Sequence, residues 1–265
     1  MERENIIDDK YIILKKIGRG GTAKVFIVKE KKSNNIYAAK VLKDFENDKK
    51  KKNVENMFNK EITILTHLKQ TQNNEYIINF IDNGSGEIRR KERQTSINKY
   101  LILEYASKGS LFDYIFYPRR GFQEKYSKLF FRKILKGIQA CHEAKVYHRD
   151  IKLENILLDE NYEPKICDFG FAKFNQKKAI EQVGTMNYAA PEIFSFKPYD
   201  CSQIDIFSLG ATLFTLVNSS LGFRKATSDD QFYSLIEEEN FDEYWEIFKK
   251  KVLELGYLKN LKNYI

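Results

Sequence analysis

The stretch His148-Arg-Asp-Ile-Lys-Leu-Glu-Asn155 brings carboxylates, cations and a carboxamide together in one short segment of this 265-residue chain. A second motif, Asp168-Phe-Gly170, follows thirteen residues after Asn155, and apolar strand-like segments flank both. Two such motifs, in this order and in this setting, are very improbable by chance. They are the strongest functional signal in the sequence.

Toward the N-terminus, Gly18-Arg-Gly-Gly-Thr-Ala-Lys-Val25 is a glycine-rich loop between two strand-like segments. Glycine lets a backbone approach phosphates closely and adopt a positive φ. The loop lacks the G-K-[ST] ending of a Walker motif, and it leads into a strand where a Rossmann fingerprint would open a helix. A glycine loop between two strands is instead typical of the phosphate-covering lid of a protein kinase.

From here the chain resembles the eukaryotic protein kinase family over about residues 11 to 250. Tyr37-Ala-Ala-Lys40 is similar to the family's V-A-I-K strand, and Glu61 follows on a predicted helix. Residues 148–155 match H-R-D-L-x-x-x-N with Ile151 for the usual leucine, and residues 168–170 match D-F-G. Gly184-Thr-Met-Asn-Tyr-Ala-Ala-Pro-Glu192 resembles the segment that ends in A-P-E.

The resemblance implies a role for each matching residue. Lys40, fixed by an ion pair with Glu61, would hold the α- and β-phosphates of ATP. Asp150 would accept the proton of the attacking hydroxyl, and Lys152 would neutralise charge on the transferring phosphoryl. Mg²⁺, which takes few carboxylates from a protein, would bind Asn155 and Asp168. The other implied nucleotide contacts are Gly18, Arg19, Gly20, Gly21, Thr22, Ala23, Val25, Ala38, Leu103, Glu104, Ala106, Ser110 and Leu157.

The implied activity is transfer of the γ-phosphoryl of Mg-ATP to serine or threonine, because Lys152 and Thr185 are the serine/threonine-kinase pattern. The segment Leu221–Ala226, with residues further on such as Trp245, resembles the calcium/calmodulin-dependent and AMP-activated branch. Glu154 then indicates a protein substrate with a basic residue upstream of the acceptor. A pseudokinase that binds nucleotide or acts as a scaffold is the alternative from another functional class.

Periodicity predicts an α+β fold. Alternating or continuous apolar runs predict strands, and apolar residues at three- to four-residue spacing predict helices. The predicted strands are Tyr11–Leu14, Val25–Val28, Ile36–Leu42, Tyr76–Ile81 and Tyr100–Tyr105, with helices around Phe58–Leu68, Phe122–His142 and Gln203–Asn218. A charged insertion between the last two strands predicts a long surface loop.

The resemblance turns these elements into a bilobal protein-kinase-like fold. We expect a small antiparallel β-rich N-lobe with one helix over residues 1–105 and a larger, mainly helical C-lobe over residues 106–265. The hinge is predicted near Tyr105–Gly109.

Three departures from the family pattern matter most. Ala23 stands for the third glycine of the lid, where small residues are tolerated. Residues 171–184 contain no Ser, Thr or Tyr, and Glu181 occupies the place of the usual phosphorylatable threonine. We hypothesise that Glu181 pairs with Arg149, the usual partner of that phosphothreonine, and orders the segment; a solvated glutamate is the alternative. Glu192 is expected to lack its usual arginine, because the chain is short at its C-terminus relative to the family.

Composition excludes several other functions. The net charge of +8 is concentrated in Lys49–Lys52 and around Arg89–Arg93, which lack the interleaved aromatic residues of nucleic-acid surfaces and predict solvated loops. No apolar run approaches the ~18 residues of a membrane span, and no signal peptide is recognisable. Three widely spaced cysteines favour a reducing, cytoplasmic location. Protein substrates are therefore the expected partners, and the sequence does not indicate an oligomeric state.

Overall fold

The computed structural model describes residues 5–71, 75–90, 93–117 and 122–254. The described residues form two compact units, one drawn from residues 1–73 and 77–107, the other from residues 74–76 and 108–265. The lobe boundaries predicted from the sequence, 1–105 and 106–265, remain a prediction about functional domains.

The first unit is an antiparallel sheet with one long helix. Its strands pair in the order β1-β2-β3-β4-β6-β5, and Ile7 of β1 also lies opposite Ile88 of β5. The strands are β1 (Ile6–Ile7), β2 (Tyr11–Arg19), β3 (Ala23–Glu30), β4 (Ile36–Leu42), β5 (Phe80–Arg90) and β6 (Arg93–Glu104). The helix α1 runs from Asp48 to Thr71 between β4 and β5 and buries Phe58, Leu65 and Leu68, as its apolar spacing predicts.

The two faces of this sheet have different characters. Residues opposite each other on neighbouring strands, and alternate residues along one strand, point to the same face. Val25 pairs with Lys40 and Ala38 pairs with Leu103, so these four side chains share a face, and none of the four residues is fully buried. The other face is a closed apolar core that includes Phe26, Val28, Ala39, Val41 and Ile102.

The predicted surface loop before Tyr100 is wrong, because β5 and β6 form one long hairpin through this region. The glycines of Asn-Gly-Ser-Gly look like turn residues but serve close packing instead. A Cβ at Gly84 would lie 2.5 Å from the Tyr100 hydroxyl, and a Cβ at Gly86 would overlap the Asp8 carboxylate. The Tyr100 hydroxyl in turn donates to Asp8 at 2.8 Å.

Two further expectations need correction. The lysines of residues 49–52, predicted as a solvated loop, lie in the first turns of α1. Cations oppose the helix dipole there, which hides the helix start from sequence reasoning. The strand predicted from Tyr76 begins only at Phe80. Arg89, Arg90 and Arg93 lie within the hairpin strands, and Lys91 lies outside the described residues.

The second unit is mainly helical, as predicted. Its helices are α2 (Leu111–Phe116), α3 (Glu124–Glu143), α4 (Cys201–Asn218), α5 (Gln231–Glu237) and α6 (Phe241–Glu254). Helix α4 is apolar almost all round and is capped at its N-terminus by Asp200, whose carboxylate accepts the Ser202 N–H at 2.8 Å. None of the described helices is long and apolar enough to cross a membrane.

Pairs of short strands flank the loops of this unit. They are β7 (Val146–Tyr147) with β10 (Lys173–Phe174), β8 (Ile156–Leu158) with β9 (Pro164–Ile166), and β11 (Lys178–Ala179) with β12 (Tyr199–Asp200). The residues between β7 and β8 are 148–155, and those between β9 and β10 include 168–170. Both motifs are therefore held at each end by paired strands.

Candidate active site

A single buried carboxylate on α4 holds the backbone of the loop 148–155. Asp205 is fully buried and accepts the backbone N–H of His148 at 2.9 Å and that of Arg149 at 2.7 Å. His142, at the end of α3, contacts the same carboxylate at 2.8 Å through Nε2. These contacts make Asp205 the support of the loop's backbone. Phe207, on the same helix, packs against Phe223 with ring centroids 5.9 Å apart.

Asp150 is fixed by three donors. Thr185 donates its hydroxyl to Oδ1 at 2.7 Å, while Lys152 and Asn155 reach Oδ2 at 2.9 Å and 3.0 Å. Lys152 also donates to the Thr185 hydroxyl at 2.6 Å. These bonds leave the Asp150 carboxylate with one orientation, beside a cation and a hydroxyl. The four residues predicted from two distant motifs therefore form one cluster.

Asp168 lies beside Asn155 along the chain path, because the amide of Cys167 donates to the Asn155 carbonyl at 2.9 Å. The Asp168 residue is exposed, and its φ of 63° lies in the left-handed region. Arg149 has a similar φ of 65°. Non-glycine residues in this region carry strain of about 1–3 kcal/mol, and such strain is concentrated at functional sites.

The donor chemistry at Asn155 and Asp168 fits Mg²⁺. The Asn155 amide nitrogen donates to the Asp150 carbonyl at 2.8 Å, so its amide oxygen is the atom available as a ligand. Among the described residues, no group of three or more His, Cys, Asp or Glu side chains could cage a metal. Mg²⁺ needs no such cage, because it binds through one or two protein groups together with water and phosphate oxygens.

In the first unit, Lys40 and Glu61 form a bidentate ion pair. Lys40 Nζ lies 2.7 Å and 2.8 Å from the two carboxylate oxygens of Glu61, and both side chains are largely buried. The predicted pair thus forms between β4 and α1. A buried pair of this kind fixes its lysine, because loss of either partner leaves an uncompensated charge.

The glycine loop is a tight hairpin turn between β2 and β3, as predicted. None of Gly18, Gly20 and Gly21 has a φ in the left-handed region, so the expected positive φ is not what requires glycine here. A Cβ at Gly21 would meet no protein atom within 4 Å, which leaves open space beside the backbone. Lys43, which the motifs did not indicate, donates to the carbonyl of Gly20 and to that of Gly21 at 3.2 Å.

The residues implied as nucleotide contacts divide between the two units. Val25, Ala38 and Leu103 share the half-buried sheet face with Lys40, and the Glu104 amide donates to the Asn79 carbonyl. Gly18, Arg19, Gly20, Gly21, Thr22 and Ala23 form the turn and its flanks, and Ala106 is buried in the same unit.

In the second unit, Ser110 forms a bridge with Leu157. Its hydroxyl also caps α2 by accepting the Asp113 N–H at 3.3 Å. Each unit holds a subset of the implied contacts, and their binding roles remain predictions.

Glu181 does contact Arg149, as hypothesised. Its Oε2 lies 3.2 Å from Arg149 Nη1, and its Oε1 lies 2.8 Å from Lys173 Nζ. Burial raises the pKa of Glu181, but hydrogen bonds from Lys173 and its own backbone, with the charges of Arg149 and Lys173, lower it overall to about 2. Lys173 was not predicted, since a single lysine after D-F-G carries no sequence signal.

Glu192 and Glu154 differ in their surroundings. Among the described residues Glu192 forms no ion pair, and the expected absence of its family partner stays a prediction. Glu154 has a buried Oε2 without a hydrogen-bond partner in the described structure. Burial raises the pKa of Glu154, an effect that the charge of Lys152 opposes.

A cavity of about 270 Å³ lies next to Gly184. Apolar side chains supply most of its wall, which also includes one cation. The residues that line this cavity include Val183, Met186, Ile193, Phe194, Phe196 and Lys225.

Replacing Lys40 should show how much its ion pair with Glu61 contributes to the free energy of unfolding. Lys40→Met leaves the Glu61 carboxylate buried without this cation, so we expect the free energy of unfolding to fall by about 3–5 kcal/mol. The double variant Lys40→Met/Glu61→Met replaces both charges by apolar groups and should lie much closer to the wild type. Urea unfolding of the three proteins measures this difference. Equal losses in the single and double variants would contradict it.

The low pKa of Glu181 predicts a pH signature. A folded-state pKa of about 2, below the ordinary 4.5, means that its ion pairs stabilise the fold above pH 4.5 and are lost as the pH falls toward 2. Glu181→Gln should therefore lower the unfolding free energy by up to about 1 kcal/mol, since the side chain is half exposed. The difference from wild type should be constant between about pH 8 and pH 5.5 and shrink below about pH 4.5.

Denaturant titrations across this pH range provide the measurement for Glu181. Glu160→Gln is a suitable control, because Glu160 is exposed and makes no ion pair within the described ranges. A wild-type advantage that disappears between about pH 7 and pH 5.5 would show that a different group is responsible.

Comparison with known proteins agrees with this geometry. A family model described as protein kinase domain matches residues 11–256. NUAK family SNF1-like kinase 1 of Mus musculus is 35% identical over 217 residues, which cover 81% of this chain and 30% of the relative. CBL-interacting protein kinase 26 of Oryza sativa subsp. japonica is 33% identical over 228 residues, covering 84% and 43%. The chain thus spans less than half the length of these relatives. It belongs to the protein kinase family, of the serine/threonine type that its motifs predict.

Proposed function

We propose that this chain transfers the γ-phosphoryl group of Mg-ATP to serine or threonine hydroxyls of protein substrates. The observation that carries the proposal is the cluster around Asp150, in which Thr185, Lys152 and Asn155 all hydrogen-bond the same carboxylate. Such a carboxylate can accept a proton from an alcohol that lies within hydrogen-bond reach. Family membership supports the class of reaction.

Each residue of the cluster has a separate task in this proposal. Asp150 orients the acceptor hydroxyl and takes its proton as the oxygen attacks. Lys152, 2.9 Å from Asp150, places a positive charge where negative charge develops on the transferred group. The Thr185 hydroxyl hydrogen-bonds both Lys152 and Asp150, which fixes the positions of these two side chains relative to each other.

Nucleotide and metal would be held by the other predicted residues. Lys40, locked by Glu61, would bind phosphate oxygens, and the open backbone at Gly21 leaves room for phosphates to approach. Asn155 and Asp168 would hold Mg²⁺ through oxygen atoms. Bound Mg²⁺ would neutralise the charge of the phosphate oxygens. The half-buried apolar face of Val25, Ala38 and Leu103 would pack against adenine.

Two features favour a peptide substrate, and one of them favours a basic residue upstream of the acceptor. Glu154, within the catalytic loop, has a buried Oε2 without a hydrogen-bond partner in the described structure, and a cationic side chain would satisfy this acceptor. The cavity next to Gly184 is mostly apolar and lies close to Thr185, so it would take an apolar side chain of the same peptide. Small-molecule acceptors would use neither feature.

A pseudokinase is the second candidate. Its supporting observation is the A-P-E glutamate, Glu192, which makes no ion pair in the described part of the chain. The complete sets around Asp150 and Lys40 favour an active enzyme over this alternative, since a scaffold needs neither.

The direct experiment is a phosphotransfer assay with γ-labelled ATP, Mg²⁺ and four peptides. These carry serine or tyrosine as acceptor, each with and without arginine upstream. We expect transfer to the serine peptides, fastest with arginine present. Asp150→Asn should lower kcat by about 10²–10⁴-fold, because it removes the proton acceptor while keeping the side-chain shape.

Two controls sharpen the result. Asp168→Ala tests the metal ligand, and Glu154→Gln should remove the preference for arginine without removing transfer. Nucleotide binding without turnover in the wild type, equal to that of Asp168→Ala, would instead support the pseudokinase. Transfer to tyrosine alone would contradict the proposed acceptor.

A further inference from the structure

We propose that the hydroxyl of Tyr199 is a positioning residue for the catalytic loop, acting through Arg149. This inference rests on the proposed phosphotransfer function and extends it to a residue outside the predicted motifs. Tyr199 lies in β12, directly before α4, and its ring belongs to a buried cluster with Tyr147 and Ala179. Only 4% of the residue is exposed.

The hydroxyl joins three separate segments. It accepts a hydrogen bond from Arg149 Nη1 at 3.1 Å and donates one to the backbone carbonyl of Glu181 at 2.5 Å. Backbone pairing of Tyr199 with Ala179 fixes the ring beside the segment 178–181. The catalytic loop, this segment and the start of α4 therefore meet at one phenolic oxygen.

Arg149 needs such an anchor because its backbone is in the left-handed region, with φ 65°. Asp205 holds the backbone N–H of Arg149 at 2.7 Å, and Arg149 Nε donates to the Phe171 carbonyl at 2.8 Å. Tyr199 fixes the far end of the same side chain. If that end is released, the strained backbone can relax, and Asp150 is the next residue.

Burial decides that Tyr199 matters more than Glu181. The Glu181 side chain is 49% exposed, so water and salt screen its ion pair with Arg149. The contact between Arg149 and Tyr199 is buried, and a buried donor that loses its acceptor cannot regain a water molecule easily. We call the contacts of the Tyr199 hydroxyl with Arg149 Nη1 and the Glu181 carbonyl the clasp. The clasp therefore depends on a neutral hydroxyl and requires no phosphate on the segment 178–181.

The test compares Tyr199→Phe with Tyr244→Phe. Both changes remove one hydroxyl from a buried tyrosine of the second unit, but the Tyr244 hydroxyl donates to the Gly222 carbonyl at 3.0 Å, outside the clasp. For Tyr199→Phe we expect kcat to fall about tenfold, with KM for ATP within about twofold of wild type. For Tyr244→Phe we expect kcat, per folded molecule, within about twofold. Glu181→Gln should lower kcat less than Tyr199→Phe does.

A second readout does not depend on catalysis. Trypsin cleavage after Lys177 or Lys178, which are exposed, should be about fivefold faster or more in Tyr199→Phe than in Tyr244→Phe. An inactive wild type would refute the proposed function, while the cleavage rates would still judge the clasp. If Tyr199→Phe does not fold, Arg149→Lys replaces it, because lysine keeps the charge but loses the fork that reaches Tyr199. The proposal would be overturned if the variant tested kept the kcat and the trypsin cleavage rate of the wild type. It would also be overturned if kcat fell equally in the Tyr199→Phe and Tyr244→Phe proteins.

Discussion

The catalytic loop depends on one buried carboxylate, that of Asp205. A buried charge is costly unless donors surround it, and here the donors are the backbone amides of His148 and Arg149 together with the His142 ring. The charge therefore has a structural use, since it forces successive N–H groups to point at α4. Asp205 lies on α4, whose residues are largely apolar, so the packing of α4 also determines the placement of the loop.

Strain follows from this anchoring. Arg149 and Asp168, neither of them glycine, both adopt left-handed backbones on either side of the Asp150 cluster. Gly184, at φ 97°, packs so closely on the Arg149 carbonyl that a Cβ there would lie 2.7 Å from the oxygen. Here glycine is required both by conformation and by space. The segment 178–184 and the loop 148–155 thus constrain each other without any phosphate between them.

Sequence reasoning predicted the elements and the clusters whose signals are local. Regular apolar spacing predicts α1, α3 and α4, and the kinase-like motifs predict the Lys40–Glu61 pair and the Asp150 cluster. It failed for residues whose structural role depends on partners that are distant in the sequence. Gly84 and Gly86 look like turn residues until Tyr100 and Asp8 pack on them. Tyr199 and Lys43 have no local signal at all, because their partners lie 50 and about 22 residues away.

Asp205 holds the catalytic loop by its backbone, and a variant of Asp205 tests this directly. Asp205→Asn keeps the shape but offers only one good acceptor, so one of the two amides loses its partner. The measurement is amide hydrogen exchange at His148 and Arg149 in this variant, with kcat measured in parallel. Asp230→Asn is the control, since Asp230 is also buried and accepts backbone amides, from Phe232 and Tyr233 on α5. We predict faster exchange at His148 or Arg149 and a fall in kcat only for Asp205→Asn; native protection of both amides in that variant would contradict the claim.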